Sequence, residues 1–159
     1  MSGIDTYTIK VALMHNKRTY RNIEIAGSQT FAALHEAIFD AFERYDAHLY
    51  SFFFPGKRTK SMRNMFSALE ITHPMNVQEM AGMLEKEIHS ADKTTIGQMG
   101  LKEGDYLYYL FDFGDEWWHE LTVLKAEPGS VSVKSLPRVV KKNGPSPEQY
   151  PEYDEDEDE

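Results

Sequence analysis

Cysteine is missing from the 159-residue sequence, and long apolar runs are missing with it. The first absence excludes disulfides, thiolate chemistry and cysteine-ligated zinc sites. The second excludes a membrane-spanning helix, because no apolar run approaches the roughly 20 residues that cross a bilayer. The first ten residues, MSGIDTYTIK, contain no basic region followed by an apolar stretch, so we expect no secretory signal. We therefore expect a soluble cytoplasmic protein that makes no contact with a membrane.

Negative charge is concentrated at the C-terminal end of the chain. Eight of the 26 acidic residues lie in residues 148–159, which contain no basic residue, and the other 18 nearly balance the 17 basic residues. Like charges at that density repel one another and cannot bury enough surface to fold. The length suits one domain with an adequate core. We therefore predict a single domain over residues 1–147 and a disordered acidic tail over residues 148–159.

The stretch YLYYLFDFGDEWWHELTVL, residues 106–124, predicts a central β-hairpin. Its two halves are rich in aromatic and branched residues with strong strand preference. Gly114-Asp115 supplies a two-residue turn between them, because glycine adopts positive φ freely. In that register Asp112 and His119 share a face as diagonal neighbours, roughly 5 to 8 Å apart at Cβ. A one-residue bulge would separate them.

The remaining patterns predict one long helix, one short helix and further strands. Apolar residues recur every three or four positions over Thr30–Tyr45, and Thr30 or Ser28 can cap this helix. Asn76 and Glu79 resemble a capping box that opens a shorter helix running towards Ile88. Strands are predicted at Thr6–Met14, Tyr20–Ile25, Leu49–Phe54 and Val131–Val133. This order predicts an α+β fold, a β-grasp-like mixed sheet packed on one long helix with a second short helix.

Three blocks of the sequence carry a family resemblance. They are LHEAIFDAF at 34–42, HLYSF at 48–52 and YLYYLFDFGDEWWHELTV at 106–123. In sequence and spacing they resemble the plasmid pRiA4b ORF-3-like family over roughly residues 6–147. The turn of aspartate, phenylalanine, glycine and aspartate, followed by Trp117 and His119, is the most specific part.

The resemblance implies an α+β domain with a β-grasp-like core. Members of the family are bacterial and archaeal, some are linked to plasmids or mobile elements, and no activity is established for the family as a whole. This chain departs from the family at its ending, GPSPEQY at residues 144–150, which has no closing glycine pair. We therefore do not extend to this chain any role that depends on the family's complete C-terminal motif.

Polar and aromatic side chains near the hairpin turn and before the third strand form the candidate binding site. It comprises His48, Tyr50, Asp112, Asp115, Trp117 and His119. A carboxylate beside an imidazole can orient it, raise its pKa or help to ligate a metal. The structural alternative is that His119 is a half-buried strand residue, hydrogen-bonded to a carboxylate. Adjacent tryptophans on a strand point to opposite faces, so we expect one in the core and the other against a partner.

Positive charge is densest at Lys57, Arg58, Lys60 and Arg63. These side chains form either a solvated loop or a set of phosphate contacts, and the nearly neutral body favours the loop. The tripeptide Asp112-Phe113-Gly114 does not indicate a kinase, because the phosphate-binding and catalytic-loop motifs are missing. The acidic tail serves solubility or binds a basic partner.

Two functional hypotheses follow. The first is a non-enzymatic binding module for a protein or nucleic-acid partner, linked to plasmid or mobile-element biology and acting as a monomer or weak dimer, with no cofactor and no resident metal. The alternative is a small metal-dependent or acid–base enzyme centred on Asp112, Asp115 and His119.

Overall fold

The computed structural model describes residues 6–80, 86–128 and 133–150. The helices are α1 (Phe31–Ala41), α2 (Met62–Phe66) and α3 (Pro74–Met80), with short 3-10 turns at Gly97–Met99 and Val133–Ser135. The strands are β1 (Thr6–Leu13), β2 (Asn16–Ala26), β3 (Tyr50–Phe54), β4 (Leu69–Thr72), β5 (Ile88–Ser90), β6 (Tyr106–Phe111), β7 (Trp117–Glu127) and β8 (Arg138–Asn143). No helix in these ranges is long and apolar enough to cross a membrane.

All eight strands join one mixed sheet in the order β5-β4-β3-β6-β7-β1-β2-β8. Neighbouring strands are antiparallel except β4 and β5, which are parallel. The fold is therefore mixed and mostly sheet, as the α+β prediction required in outline. The finer predictions of one long helix and a β-grasp are not confirmed, since the longest described helix has 11 residues and the sheet has eight strands.

The sheet has an apolar cluster on each face. Side chains alternate along β1, so Ile9, Val11 and Leu13 join the larger cluster beside α1 while Thr8 and Lys10 point to the other face. The smaller cluster lies on that other face and consists of Phe53, Met65, Tyr108, Leu110 and Trp118. We call this opposite surface the second face.

The predicted Thr30–Tyr45 helix begins where expected and ends four residues early. Thr30 Oγ1 accepts a hydrogen bond from Ala33 N at 3.1 Å, which confirms the predicted cap. The apolar stripe is buried only as far as Phe42, and Tyr45 is 73% exposed. The helix ends because Glu43 adopts a positive φ of 56°, which an α-helix cannot continue through.

The predicted capping box at Asn76 is wrong. Helix α3 begins at Pro74, and its first turn is capped by His73, whose Nδ1 accepts a hydrogen bond from Met75 N at 3.0 Å. Asn76 lies inside the helix and donates its amide N–H to Thr72 Oγ1. Ile88, predicted as helical, begins strand β5, and residues 81–85 lie outside the described part of the chain.

The predicted strand at Val131–Val133 lies mostly outside the described residues, and Val133 begins a 3-10 turn. The last strand among the described residues is instead β8. All six of its side chains are exposed at the sheet edge, so no apolar pattern marked it.

The hairpin between β6 and β7 exists, but its predicted register is wrong by one residue. Tyr109 lies opposite His119 and Leu110 lies opposite Trp118. The connection spans five residues, 112–116, and closes through a hydrogen bond from Glu116 N to Asp112 O at 2.7 Å. Both Asp112 and Glu116 have positive φ, at 66° and 53°. The turn therefore takes Asp112 out of the strand and out of line with His119.

Candidate functional site

His48 and Asp112 meet at the end of the sheet where the β6–β7 turn approaches the α1–β3 connection. His48 Nε2 lies 3.3 Å from Asp112 Oδ2 and 2.5 Å from the hydroxyl of Tyr150. That hydroxyl donates to Asp46 Oδ2 at 2.7 Å, so it accepts from the imidazole. The hydrogen bond to Asp46 raises the pKa of Tyr150 to about 12, so the phenol keeps its proton at neutral pH. The cluster thus joins His48, Tyr150 and Asp46 by hydrogen bonds, and Asp112 lies within ion-pair distance of the histidine, which is one-third exposed.

Asp112 also builds the turn that follows it. Its Oδ1 accepts hydrogen bonds from Gly114 N at 3.1 Å and Asp115 N at 3.2 Å, while its own N–H donates to Leu49 O. This is an Asx turn, and it tolerates the positive φ that Asp112 adopts. Asp115 lies exposed beside it. Both oxygens of the Asp112 carboxylate are therefore occupied within the protein.

His119 is sealed in the interior, fully buried beside α1. Its Nδ1 lies 3.1 Å from Tyr109 O, and its Nε2 lies 2.8 Å from Arg44 Nη2. A carbonyl only accepts and a guanidinium only donates, so Nδ1 carries the proton and the ring is neutral. Burial first, and then the charge of Arg44, lower the pKa of His119 well below its ordinary value. The predicted Asp112–His119 pair is therefore wrong, as is the carboxylate partner predicted for this histidine.

Tyr50 is also an interior residue. Its ring stacks on His35 with centroids 3.7 Å apart and planes 5° from parallel. His35 Nδ1 lies 2.6 Å from the hydroxyl of Tyr109, and burial lowers the pKa of His35 to about 3. These contacts make Tyr50 part of an enclosed polar and aromatic layer between α1 and the sheet.

The two tryptophans point to opposite faces, as predicted. Trp118 is buried on the second face, where its ring lies 5.6 Å from both Phe53 and Phe66. Trp117 is half-buried at the end of the α1 side, between Arg44 and the ring of His15. Both rings therefore pack against the protein, and contact of either with a partner stays a prediction.

One residue of the densest basic segment, Arg58, is tied to the second face. Arg58 donates from Nε to Glu120 Oε2 at 3.2 Å, and Lys17 Nζ lies 3.3 Å from the same oxygen. Burial alone would raise the pKa of Glu120. The hydrogen bonds and positive charges of Arg58 and Lys17 outweigh the effect of burial, so the pKa of Glu120 is lowered overall. Arg58 is thus a charged side chain, more than half exposed, that is paired with a carboxylate of the protein.

A groove on the second face was not found by sequence reasoning. Its cavity of about 390 Å³ lies between α2, α3 and the hairpin turn, and we call it the second-face groove. The residues that line it are Phe53, Phe66, Glu70, Asn76, Lys86, Leu110, Phe113 and Glu116. The signal available in the sequence was one aromatic residue in each of two polar segments, Phe66 after the basic loop and Phe113 within the acidic turn.

The floor of the second-face groove holds a largely buried ion pair. Lys86 Nζ lies 2.6 Å from Glu70 Oε1 and also donates to Phe66 O at 2.7 Å. Ser51 donates to the other oxygen of Glu70 at 2.5 Å. Both charged groups therefore have hydrogen-bond partners within the protein, so the floor of the groove is polar while its walls are aromatic.

Neither the His48–Asp112 cluster nor the second-face groove gathers a set of metal ligands from the described residues. Across residues 6–80, 86–128 and 133–150, no three or more His, Asp and Glu side chains are arranged to hold a metal ion.

A family model described as "Plasmid pRiA4b ORF-3-like protein" matches residues 5–151, nearly the whole chain. Among solved structures, the crystal structure of a protein of unknown function from Methanosarcina mazei Go1 is similar to this chain, with a TM-score of 0.65 and 18% sequence identity. The similarity covers 93% of this chain and 74% of that chain, and at this identity it establishes the fold alone. A comparison with curated proteins finds no match.

Proposed function

We propose that this chain, which belongs to the plasmid pRiA4b ORF-3-like family, is a non-enzymatic binding module that engages a protein partner through the second-face groove. The observation that carries the proposal is the exposure of large apolar side chains around a concave surface. Phe66 is 48% exposed and Phe113 is 37% exposed, and they line the same cavity. Contiguous exposed apolar surface around a concavity is typical of interaction sites.

The shape and chemistry of the groove favour an apolar side chain of a partner protein. Its walls are aromatic and aliphatic, its floor carries the satisfied Lys86–Glu70 pair, and Glu116 lies at its rim. Interfaces gain most of their affinity where one anchor side chain fills a dry pocket surrounded by polar groups. We propose that the partner inserts an aromatic or aliphatic anchor between Phe66 and Phe113.

The geometry supports a protein partner over a nucleic acid. Nucleic-acid binding requires free lysine and arginine side chains aligned along the phosphate backbone. Here Arg58 is paired with Glu120 and Arg138 is paired with Glu24 at 2.8 Å. The second-face groove also carries two carboxylates for its single lysine. We therefore propose a protein partner, and the experiment below includes an assay for nucleic-acid binding that would contradict this proposal.

An enzyme centred on Asp112, Asp115 and His119 receives no support from the geometry. Both oxygens of Asp112 are engaged, and His119 is neutral, buried and bonded on both ring nitrogens. A general base must reach the proton it abstracts. We propose instead that these residues position the hairpin turn whose Phe113 forms one wall of the groove.

We propose a plasmid or mobile element as the biological setting, because the family's description refers to a plasmid reading frame. Affinity capture with the full chain from cells carrying such an element tests the function. Phe66→Ser and Phe113→Ser serve as the groove variants, and Val140→Ser is a matched control because Val140 is 47% exposed on the distant strand β8.

The outcomes of the capture separate the possible partners. A protein that is retained by the wild type and Val140→Ser, and lost by both groove variants, supports the proposal. Equal retention by all four proteins, or a nucleic acid as the only retained species in a shift assay, contradicts it. Self-association lost in the groove variants would identify a second copy as the partner.

A further inference from the structure

Three connections meet at the end of the sheet beside α1. The β1–β2 turn contributes His15, the α1–β3 connection contributes Arg44, and the start of β7 contributes Trp117. The ring of His15 lies 5.7 Å from that of Trp117, and the guanidinium carbon of Arg44 lies 5.4 Å from the centroid of the Trp117 ring. Loops held together on a rigid sheet are frequent positions for binding residues.

Arg44 is the unusual member of this group because it is a buried cation. Only 7% of the residue is exposed. Its guanidinium contacts three aromatic rings, with centroids 4.9 Å away at Phe111, 5.1 Å away at Phe42 and 5.4 Å away at Trp117. Such contacts attract a cation, but they do not accept its N–H groups in the manner of an oxygen.

The guanidinium lacks a counter-ion in the described part of the chain. Its hydrogen bond goes from Nη2 to the neutral ring of His119, and none of the ion pairs among the described residues includes Arg44. Burial lowers the pKa of Arg44 to about 10, so the group is still charged at neutral pH. Buried charges are ordinarily paired, because burying them unpaired is costly.

Two N–H donors at this place have no acceptor among the residues that the structure describes. These donors, Arg44 Nη1 and Trp117 Nε1, are both buried. Large surveys of proteins find nearly all buried donors satisfied by protein or ordered water. Two unsatisfied donors on adjacent side chains, one of them cationic, therefore have the chemistry of a site for an oxygen that carries negative charge.

We propose that Arg44 and Trp117 bind an oxyanion, the carboxylate or phosphate group of a small molecule or of a partner's side chain. The anion accepts from Arg44 Nη1 and Trp117 Nε1, and it neutralises the buried guanidinium. His15, an exposed side chain of the β1–β2 turn, lies beside the indole, with ring centroids 5.7 Å apart. This site lies on the α1 side of the sheet, whereas the second-face groove lies on the other.

The two tryptophans supply an internal comparison for the test. The indole N–H of Trp117 is free, whereas that of Trp118 donates to Glu116 Oε1 at 3.4 Å. The full chain, labelled with ¹⁵N, is titrated with sodium acetate or sodium phosphate at pH 7, with sodium chloride at equal ionic strength as the reference. We expect the Trp117 indole signal to move saturably with acetate, phosphate or both, while the Trp118 signal does not move.

Two variants assign the binding to these donors. Trp117→Phe keeps a ring against Arg44 and removes one donor, so we expect the anion-dependent rise in melting temperature to require about tenfold more anion. Arg44→Lys, monitored at the Trp117 indole if it folds, should weaken binding by at least as much, because lysine lacks the planar fork.

The outcomes that overturn the proposal are equally specific. An unmoved Trp117 signal in every anion, or equal movement in chloride, excludes an oxyanion site. A long-lived water that exchanges magnetisation with the Trp117 indole, together with no anion dependence, assigns the space to solvent alone. An unaltered anion requirement in Trp117→Phe would contradict the assignment as well.

Discussion

His119 accepts a hydrogen bond from Arg44 across 2.8 Å in the interior of the protein. Each side chain depends on the other. The imidazole gives the buried guanidinium its hydrogen-bond acceptor, and the guanidinium holds the imidazole in one neutral tautomer. The histidine is therefore a structural residue whose removal would leave a cation without its acceptor.

Replacing His119 with alanine should destabilise the protein strongly. The change opens a cavity and leaves the buried Nη2 of Arg44 without its acceptor, so we expect a loss of about 2–4 kcal/mol in the free energy of unfolding. That corresponds to a fall of roughly 5–10 °C in melting temperature for a domain of this size. His119→Gln, which can still accept from Arg44, should lose clearly less. Equal melting temperatures for alanine and wild type would contradict the structural role.

Acidification should destabilise the protein well above the pH at which its carboxylates protonate. Burial lowers the pKa of His35 to about 3, whereas in the unfolded chain it titrates near 6.5. The unfolded state therefore takes up a proton first as the pH falls, so stability is complete above about 6.5 and is lost progressively towards 3. His119, whose pKa is also lowered, adds to the loss.

The size of this effect is about 1.4 kcal/mol per pH unit for each histidine. Urea denaturation at pH 7.5, 6.5 and 5.5 measures it. His35→Gln should flatten the dependence, and His89→Gln, on an exposed histidine, controls for the loss of a histidine as such. A free energy of unfolding that does not change between pH 6.5 and 5.5 would show that both imidazoles titrate normally in the native state.

Asp112→Ala should lower the free energy of unfolding by about 1–2 kcal/mol. The change removes the acceptor for Gly114 N and Asp115 N and places alanine at a positive φ. Asp112→Asn keeps an oxygen in the same position and tolerates that conformation, so we expect a much smaller change. Chemical denaturation of the two variants distinguishes these cases. A loss as large in asparagine as in alanine would mean that the ion pair with His48, and not the turn, carries the contribution.

Removing one charge of the ion pair under the second-face groove should destabilise the protein more than removing both charges. Lys86→Met leaves Glu70 buried with Ser51 as its remaining polar support at that site, and we expect a loss of about 3 kcal/mol or more. The double variant Lys86→Met with Glu70→Gln removes both charges and should recover a large part of that loss. A double-mutant cycle in urea provides the measurement, and strictly additive losses would contradict coupling between the two groups.

Local patterns predicted several elements because each carried its own physical signal. The helix start at Thr30 was predictable from a capping hydroxyl ahead of an apolar stripe, and the hairpin from two aromatic runs around a glycine. The register was not predictable, because Asp112 and Glu116 adopt positive φ. Glycine is the usual sequence signal for that conformation, and neither position is a glycine. One residue of slippage moves every side chain to the other face, so the proposed acid–imidazole pair failed with it.

A binding role for the candidate residues stays a prediction, and most of their contacts could not be predicted from the sequence. His48 and Asp112 do meet at one end of the sheet, and Trp117 lies at the same end, but the partners Arg44, Asp46 and Tyr150 lie outside the hairpin. Those contacts form between segments about 60 to 100 residues apart, and a pattern within one strand contains no information on them. The second-face groove was missed for the same reason, because its walls come from α2, α3 and the hairpin turn.

The binding role of the second-face groove is tested most directly by hydrogen exchange on the complex with the captured protein. We predict that binding slows exchange at residues 62–66 and 112–116, which form two walls of the groove, and leaves strand β8 unchanged. In Phe66→Ser the same protection should disappear at equal partner concentration. Protection confined to β8 or to the α1 side of the sheet would contradict the groove as the binding surface.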